Sequence, residues 1–309
     1  MENSSSIEEH KQTIQFLFCA VRSSGKHWYF FSAIYVVLTI TATLGNTLIL
    51  IALHKESSLH PPSKLLYRCL AITDLSVGLI LQPSNALHNA LLVKGHHSTK
   101  LCLSLAMIGV VSFTTLSAVS LLTMTTISVD RLLALLLGLR YRQIVTLRRV
   151  RALVALFWIV SLGFAVATIW EFPLGKRYNF TLISLCILIS SLCYFKNFFT
   201  LRQNQIQAQQ QQGQPNGGGI PFNIARYQKT VATAIWVEVT LIACYLPYAI
   251  VVAVITTHGS SPFLDAIWEL TVVLVSLNSS LNPLLYCWKI KTVKQEVKNS
   301  IRQFLCLSN

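Results

Sequence analysis

Residues 29–53 read YFFSAIYVVLTITATLGNTLILIAL, 25 consecutive positions without an Asp, Glu, Lys or Arg. Roughly 20 mainly apolar residues in a helix cross about 30 Å of hydrocarbon, so this stretch predicts a membrane-spanning helix. We call this stretch span one. Six more mainly apolar stretches, spans two to seven, follow at residues 65–93, 102–137, 149–170, 178–201, 227–256 and 263–288. Together they predict an all-α membrane protein with a seven-transmembrane helix bundle over residues 29–288.

The composition of the 309 residues excludes a water-soluble domain of this size. Hydrophobic residues make up 53% and charged residues 12%, so too few polar side chains remain to cover a water-facing surface. The net charge of +14 does not indicate a nucleic-acid partner, because the 25 Lys and Arg are distributed by loop. Most of them fall on the cytoplasmic side if residues 1–28 are extracellular, as the positive-inside rule requires. We therefore expect a multi-pass protein of the plasma membrane with its N-terminus outside.

Two cytoplasmic segments have a composition unlike the spans. Residues 202–226 include a Gln-rich run and three consecutive glycines, which predicts a disordered third intracellular loop. Residues 289–309 place apolar side chains at helical spacing among lysines. They predict a short amphipathic eighth helix lying on membrane lipid and a short cytoplasmic tail. Cys306 near the end is either a palmitoylation site or an ordinary free thiol.

Sequons for N-glycosylation begin at Asn3 and Asn179, and the predicted topology places both outside. A third sequon begins at Asn278 inside span seven, out of reach of a glycosyltransferase. We therefore expect a glycoprotein with two usable sites at most.

Ionisable residues inside a span are energetically expensive and are therefore functional candidates that usually face the bundle interior. Asp74, Asp130, Arg131 and Glu238 are such residues. The first three belong to motifs that follow one another along the chain: Gly45-Asn46, Leu70 to Asp74, Asp130-Arg131-Leu132, Trp158, Cys244-Tyr245-Leu246-Pro247 and Asn282-Pro283-Leu284-Leu285-Tyr286. In order and position these motifs resemble the rhodopsin-like G protein-coupled receptors across residues 45–306.

The resemblance implies that the protein transmits the binding of an unidentified extracellular ligand to a heterotrimeric G protein. The short connection between spans four and five and the proline-free span five are similar to the melanocortin, adenosine and lipid receptors. This similarity suggests a peptide, lipid or nucleoside-like ligand. Phe113 and Ser276 replace the residues that hold a monoamine or retinal in relatives. Asp265 and Glu269, four apart at the outer end of span seven, either attract a basic ligand or form a solvated helix end.

A seven-helix transporter or ion channel is the alternative, with Asp74 and Glu238 in its ion pathway. No inverted repeat is evident in the sequence, which counts against a transporter. An intramembrane enzyme needs a nucleophile with a base, or a metal cluster, and the spans show no such motif. We therefore expect no enzymatic activity and no cofactor apart from a sodium ion.

By the resemblance, the sodium ion would lie in the middle of the bundle. The positions that line this site in the family all carry oxygen here, and hard cations favour oxygen ligands. A water-filled polar network without an ion fits the same residues. The five positions are Asp74, Ser120, Asn278, Ser279 and Asn282.

The resemblance also assigns residues to activation and G protein coupling. It implies an ion pair between Asp130 and Arg131 that breaks when span six swings outward, with Pro247 and Pro283 kinking their helices. Leu139 would fill an apolar pocket on the G protein or else contact the membrane. Three tyrosines complete the set: Tyr245, where the family usually has a tryptophan, Tyr286, which would turn inward, and Tyr194, which would do the same or is an interfacial aromatic.

Departures from the family pattern lead to further expectations. The usual disulfide partner between spans four and five is missing, and Cys102 lies four residues farther from Arg131 than the family's cysteine. An oxidising exterior permits a Cys19–Cys102 disulfide instead, and two free thiols fit the sequence equally. Tyr227 replaces an acid that restrains the arginine in many relatives, so we expect raised basal signalling. The role of Glu238 stays open.

Overall fold

The structure is a computed structural model that describes Cys19 and residues 27–55, 59–94, 100–170, 172–212, 224–259 and 261–289, with positions 295, 297, 298 and 302. For residues 27, 172–176, 204–205, 207–212, 224–237 and 285–289 the backbone alone is described. The expected glycosylation of Asn3 and palmitoylation of Cys306 lie outside the described residues. So do the side chains of Tyr227 and Tyr286 and most of the predicted eighth helix.

Seven of the described helices are long and apolar enough to cross a membrane, which confirms the seven predicted spans. Span two is divided by a π-helical turn, and a 3₁₀ turn and a four-residue helix follow span three. In chain order, the spans are His27–Lys55, Pro61–Ser76 with Val77–Leu81 and Gln82–Val93, Lys100–Leu137, Leu147–Trp170, Phe172–Gln212, Ile224–His258 and Pro262–Lys289, and the two short pieces are Gly138–Arg140 and Tyr141–Ile144.

The seven spans pack in a closed ring. Each span packs against its neighbour in sequence, span seven closes the ring against span one, and span three also contacts spans two, four and five. Span three has the largest buried share of its apolar window and span four the smallest. Exposed apolar residues such as Val36, Ile40 and Leu44 repeat every fourth residue along span one, so one helix face is turned outward toward lipid.

The π-helical turn in span two has a local cause in the sequence. Pro83 carries no backbone N–H and therefore cannot donate the regular helical hydrogen bond to the carbonyl four residues earlier. Such single-turn π segments usually mark a local adjustment of a helix. Gly78 lies inside the turn, and a Cβ built on it would come within 2.8 Å of Thr43 Oγ1 in span one. The missing side chain lets the two helices approach closely at this level.

Span three ends at Leu137 because the next residue leaves the helical conformation. Gly138 has a φ of 50°, in the left-handed region that glycine adopts without steric cost. This is a frequent way to terminate a helix. The turn leads the chain into Gly138–Arg140 and leaves Leu139 outside the bundle.

The C-terminal end of span five differs from the expectation of disorder over 202–226. Its helix continues to Gln212, and span six begins at Ile224. Glutamine and alanine are good helix formers, and a chain that extends an existing helix avoids the cost of nucleation. The disordered-loop prediction was therefore wrong for 202–212 and for 224–226. Residues 213–223 lie outside the described part of the chain.

Candidate functional site

A buried polar cluster surrounds Asp74 in the middle of the bundle. The carboxylate is fully buried. Its Oδ1 accepts hydrogen bonds from Ser279 Oγ at 2.8 Å and from Ser120 Oγ at 3.4 Å, and its Oδ2 accepts one from Asn282 Nδ2 at 2.7 Å. Spans two, three and seven thus converge on one carboxylate through neutral donors, and four of the five predicted sodium-site residues lie together.

Asn278 is the member of the predicted sodium set that does not bind to the Asp74 carboxylate. Its Nδ2 donates to the Met124 sulfur at 3.4 Å. Its Oδ1 is buried and has no hydrogen-bond partner in the structure. A buried acceptor without a donor costs roughly 1–3 kcal/mol. Asn278 therefore supplies an unused oxygen in the same region of span seven as the cluster.

Span seven is tied to span one at the position where its proline interrupts the helix. Pro283 lacks an N–H, so the carbonyl of Ser279, four residues earlier, loses its helical donor. Asn46 Nδ2 donates to that carbonyl at 3.0 Å and to its own Ala42 carbonyl at 2.9 Å. Gly45 allows the approach, because a Cβ there would come within 2.9 Å of Pro283 Cγ. The Gly45-Asn46 motif thus compensates for Pro283.

A small cavity adjoins the cluster, between spans two, three, six and seven. Phe113 and Tyr245 form part of its wall, together with Ser120 and Ser279, two of the residues that donate to Asp74. Tyr245 is fully buried, and Phe113 packs against Tyr248 with ring centroids 5.3 Å apart. A group occupying this cavity would therefore touch the donors of the Asp74 cluster.

A second buried aspartate anchors the C-terminal end of span three. Asp130 Oδ2 accepts a hydrogen bond from Ser63 Oγ at 2.9 Å, and its Oδ1 accepts one from Tyr141 Oη at 2.6 Å. The two hydroxyl oxygens lie 3.2 Å apart. Ser63 begins span two and Tyr141 follows span three, so Asp130 fixes the turn that carries Leu139.

Arg131 is not paired with Asp130. Its guanidinium donates to Tyr67 Oη at 2.8 Å and lies 5.6 Å from the centre of that ring, within cation–π range. The ion pair that the resemblance implied is therefore absent from the structure. Consecutive helical residues point in directions about 100° apart, so neighbours of this kind do not face each other.

The partners Ser63, Tyr67 and Tyr141 were missed by the sequence analysis, which considered motif residues only. A signal was present, because Ser63 and Tyr67 are four residues apart on span two and so share one helix face. Both face the cytoplasmic end of span three through the contacts described above.

Leu139 and Tyr194, two further residues assigned to coupling, lie toward this end of the bundle. Leu139 is 96% exposed, as an apolar group offered to a partner would be. Tyr194 is half-buried in span five and lies near Tyr67, Arg131 and Glu238. Pro247 and Pro283 both lie inside their helices.

Comparison with known families agrees with this architecture. Residues 45–174 and 176–286 match the family described as 7 transmembrane receptor (rhodopsin family). This chain is a rhodopsin-family receptor. It is 26% identical over 288 residues to adenosine receptor A3 of Bos taurus, covering 84% of this chain and 86% of the relative. The A3 receptor of Ovis aries is similar, at 26% identity over 285 residues with the same coverage. The family is one of G protein-coupled receptors, so a transporter or channel is not favoured.

A disulfide of the receptor joins Cys19 to Cys102 at the N-terminal end of span three, with the two Cα atoms 6.4 Å apart. Both residues are fully buried, beside Leu92 of span two. The bond therefore ties the N-terminal segment to the start of span three. Asn179 lies inside the span five helix and is only 6% exposed. Glycosylation of this residue stays a prediction.

Glu269 of the receptor is not a solvated helix end, although span seven begins only a few residues before it. It is 4% exposed, and its Oε1 accepts hydrogen bonds from Tyr35 Oη and Asn89 Nδ2, both at 3.1 Å. The sequence analysis missed Tyr35 and Asn89, because neither carries a charge at neutral pH and neither belongs to a motif. Spans one, two and seven therefore meet at a buried carboxylate near their outer ends.

Glu238 of span six links this helix to span five. Its Oε1 accepts a hydrogen bond of 2.5 Å from Ser191 Oγ, whereas its Oε2 is buried without a hydrogen-bond partner. An acid with one oxygen unsatisfied within a span is costly. The contact lies at the seam between the two helices whose separation accompanies activation in the family.

Proposed function

We propose that this receptor transmits the binding of an extracellular ligand at its outer half to a heterotrimeric G protein at its cytoplasmic end. The proposal includes its location in the plasma membrane with the N-terminus outside. The observation that carries it is the arrangement of Arg131. This half-buried cationic side chain at the cytoplasmic end of span three is held by Tyr67 of span two and not by its neighbouring acid.

Such an arginine can be released without separating a pair of opposite charges. Removal of one partner from a buried ion pair typically costs 3–5 kcal/mol, whereas a hydrogen bond to a charged group contributes roughly 1.5–3 kcal/mol. The lower cost favours a receptor that samples its active state without ligand. The exposed Leu139 lies in the turn that follows span three and supplies apolar contact area for the G protein.

The Asp74 cluster supplies the link between the two ends. A ligand group that reaches Phe113 and Tyr245 would displace the cavity wall containing Ser120 and Ser279, and would thereby change the hydrogen bonds to Asp74. Span seven carries two of the cluster residues, Ser279 and Asn282, together with Pro283, so a shift of this helix changes both hydrogen bonds at once.

A sodium ion fits this cluster on chemical grounds. A buried carboxylate requires a compensating positive charge or a proton, and its hydrogen-bond donors here are all neutral. The unused Oδ1 of Asn278 is a further oxygen in span seven, and hard cations prefer oxygen. Asp74, Ser120 and Ser279 would hold the ion, which would favour the arrangement of spans it binds best.

The decisive experiment is nucleotide exchange on a panel of purified heterotrimeric G proteins. The receptor in lipid nanodiscs is compared with Arg131→Ala, and Arg148→Ala is the control because it removes an exposed arginine. We expect ligand-independent exchange that Arg131→Ala abolishes and Arg148→Ala leaves intact. Equal exchange by all three proteins, above receptor-free nanodiscs, would exclude this role of Arg131. An exchange rate equal to that of empty nanodiscs for the intact receptor would contradict ligand-independent coupling.

For the ligand, we propose a nucleoside-like molecule as the first class to test, because two similar proteins are adenosine receptors. An identity of 26% leaves the contacts themselves open to change, and peptides and lipids form the next classes. Each candidate ligand is tested on the intact receptor and on Phe113→Ala, since Phe113 borders the cavity. A nucleoside that raises exchange on the intact receptor and loses potency on Phe113→Ala would support the assignment. Nucleosides with no effect on exchange would rule it out.

A further inference from the structure

Three residues with metal-binding side chains meet at the outer end of the bundle. They are Cys19, His88 and Cys102, and their ligand atoms all lie within 4.8 Å of one another. The cysteines are fully buried and His88 is 5% exposed. His88 comes from the outer half of span two and Cys102 from the start of span three, so the cluster joins three separate parts of the chain.

Two thiolates and one imidazole are a ligand set that suits zinc. Zinc binds Cys sulfur at about 2.3 Å and His nitrogen at about 2.0–2.1 Å, usually in a tetrahedron. Ligand atoms around one zinc ion are therefore separated by less than about 4 Å, and small side-chain rotations would bring this cluster to that spacing. Soft thiolate ligands also select against calcium and magnesium, which prefer oxygen.

The disulfide in the structure and a zinc site are mutually exclusive uses of the same sulfurs. While the sulfurs are bonded to each other, neither can act as a thiolate ligand. A dithiol reductant supplies two electrons and two protons, becomes a disulfide itself and leaves Cys19 and Cys102 as thiols. Zn²⁺ then replaces the two thiol protons, which are released to water, and takes the imidazole of His88 as a third ligand.

We propose that Cys19, His88 and Cys102 form a zinc site in the thiol state of this receptor, which alternates with the Cys19–Cys102 disulfide. The disulfide ties the N-terminal segment to span three, and the zinc form ties it to spans two and three. The tie at the outer end thus survives reduction when zinc is present and is lost when both the disulfide and zinc are absent.

The test uses full-length receptor in nanodiscs, treated with a dithiol and desalted, then incubated with Zn²⁺ alone or without metal. Alkylation of Cys19 and Cys102 is followed by mass spectrometry, and bound zinc is counted by elemental analysis. We compare the intact receptor with His88→Gln, which keeps a polar side chain of similar size. His258→Gln is the matched control, because His258 is an exposed histidine at the outer end of span six.

In the intact receptor and in His258→Gln, we expect Zn²⁺ to slow alkylation of both cysteines at least about tenfold, with about one zinc bound per receptor. In His88→Gln, we expect this protection to be largely lost. Folding of His88→Gln is verified without reductant by the Cys19–Cys102 linked peptide. Equal alkylation with and without Zn²⁺ would overturn the proposal, as would protection that is the same in His88→Gln.

None of these measurements uses G protein activation, so a negative result here leaves the proposed signalling function untouched. Purification of the intact receptor with both cysteines as thiols and zinc already bound would support the site directly.

Discussion

The two buried aspartates of the bundle, Asp74 and Asp130, have similar numbers of neutral partners but join different parts of the molecule. Asp74 connects span two to spans three and seven across the centre of the bundle. Asp130 connects span three to Ser63 near the start of span two and to Tyr141, which follows the turn at the end of span three. The first is placed to respond when spans move relative to each other, whereas the second holds a local corner in place.

The comparison changes the interpretation of the Asp130-Arg131 motif. The carboxylate is a structural anchor for the turn bearing Leu139, and the arginine has its own partner in Tyr67. The restraint on the arginine and the restraint on the turn are therefore separable by mutation.

The largest expected effect is on stability. Asp74→Ala should lower the free energy of unfolding by about 3 kcal/mol, because three donors lose their acceptor at about 1 kcal/mol each. Asp130→Ala should cost about 2 kcal/mol, since two donors are affected. Asp74→Asn keeps an acceptor oxygen and should be the mildest of the three. Melting temperatures in nanodiscs give the order, and a lower melting temperature for Asp130→Ala than for Asp74→Ala would break the comparison.

The next effect separates the role of Asp130, which anchors the turn, from that of Tyr67, which restrains Arg131. Tyr67→Phe keeps the ring but removes the hydroxyl that holds Arg131, so we expect basal nucleotide exchange to rise about tenfold, the lower end for a hydrogen bond to a charged group. Asp130→Asn should change basal exchange by less than about threefold, because its oxygen still accepts from a hydroxyl. Tyr29→Phe, on an exposed face of span one, is the control. A larger rise for Asp130→Asn than for Tyr67→Phe would restore the ion-pair mechanism.

A double-mutant cycle sharpens the role of span seven near Asp74. Pro283→Ala restores a backbone N–H to the Ser279 carbonyl, which makes the donation from Asn46 redundant. Asn46→Ala should therefore destabilise the Pro283→Ala receptor less than the intact one, with a coupling of about 1 kcal/mol. Chemical denaturation of the four proteins measures the coupling. A coupling of zero would mean that Asn46 acts independently of the proline.

The smallest effect concerns a third carboxylate, which has a single donor. Ser191→Ala removes the contact between Glu238 and span five, and hydrogen bonds between membrane helices average about 0.6 kcal/mol. We expect basal exchange to rise about threefold if this contact restrains span six. Ser184→Ala is the matched control, because Ser184 bonds only within its own helix, to the Phe180 carbonyl. Indistinguishable exchange for the two variants would show that the contact does not restrain activation.

The sequence was sufficient to predict the seven spans, since length and hydropathy are properties of continuous segments. The resemblance to the rhodopsin-like receptors, and not the spacing of the residues, pointed to the three donors that surround Asp74, namely Ser120, Ser279 and Asn282. The orientation of individual side chains was not predictable in this way. Arg131 donates a hydrogen bond to Tyr67, and Asn278 donates one to Met124. Both acceptors belong to other spans, so the pairing depends on how the helices pack.

The expected disorder over 202–212 was inferred from the composition of a short segment. In the structure, the long span five helix incorporates this segment. A short motif does not report how far a neighbouring helix extends.

The two glycines that allow spans one, two and seven to approach closely also matter for receptor engineering. Scans for thermostable receptors commonly replace each position by alanine, the residue with the best helix propensity. At Gly45 and Gly78 the added methyl group would come within 2.9 Å of Pro283 Cγ and 2.8 Å of Thr43 Oγ1. These two substitutions would separate the helices that enclose the Asp74 cluster, so a library intended to rigidify this receptor should leave both positions unchanged.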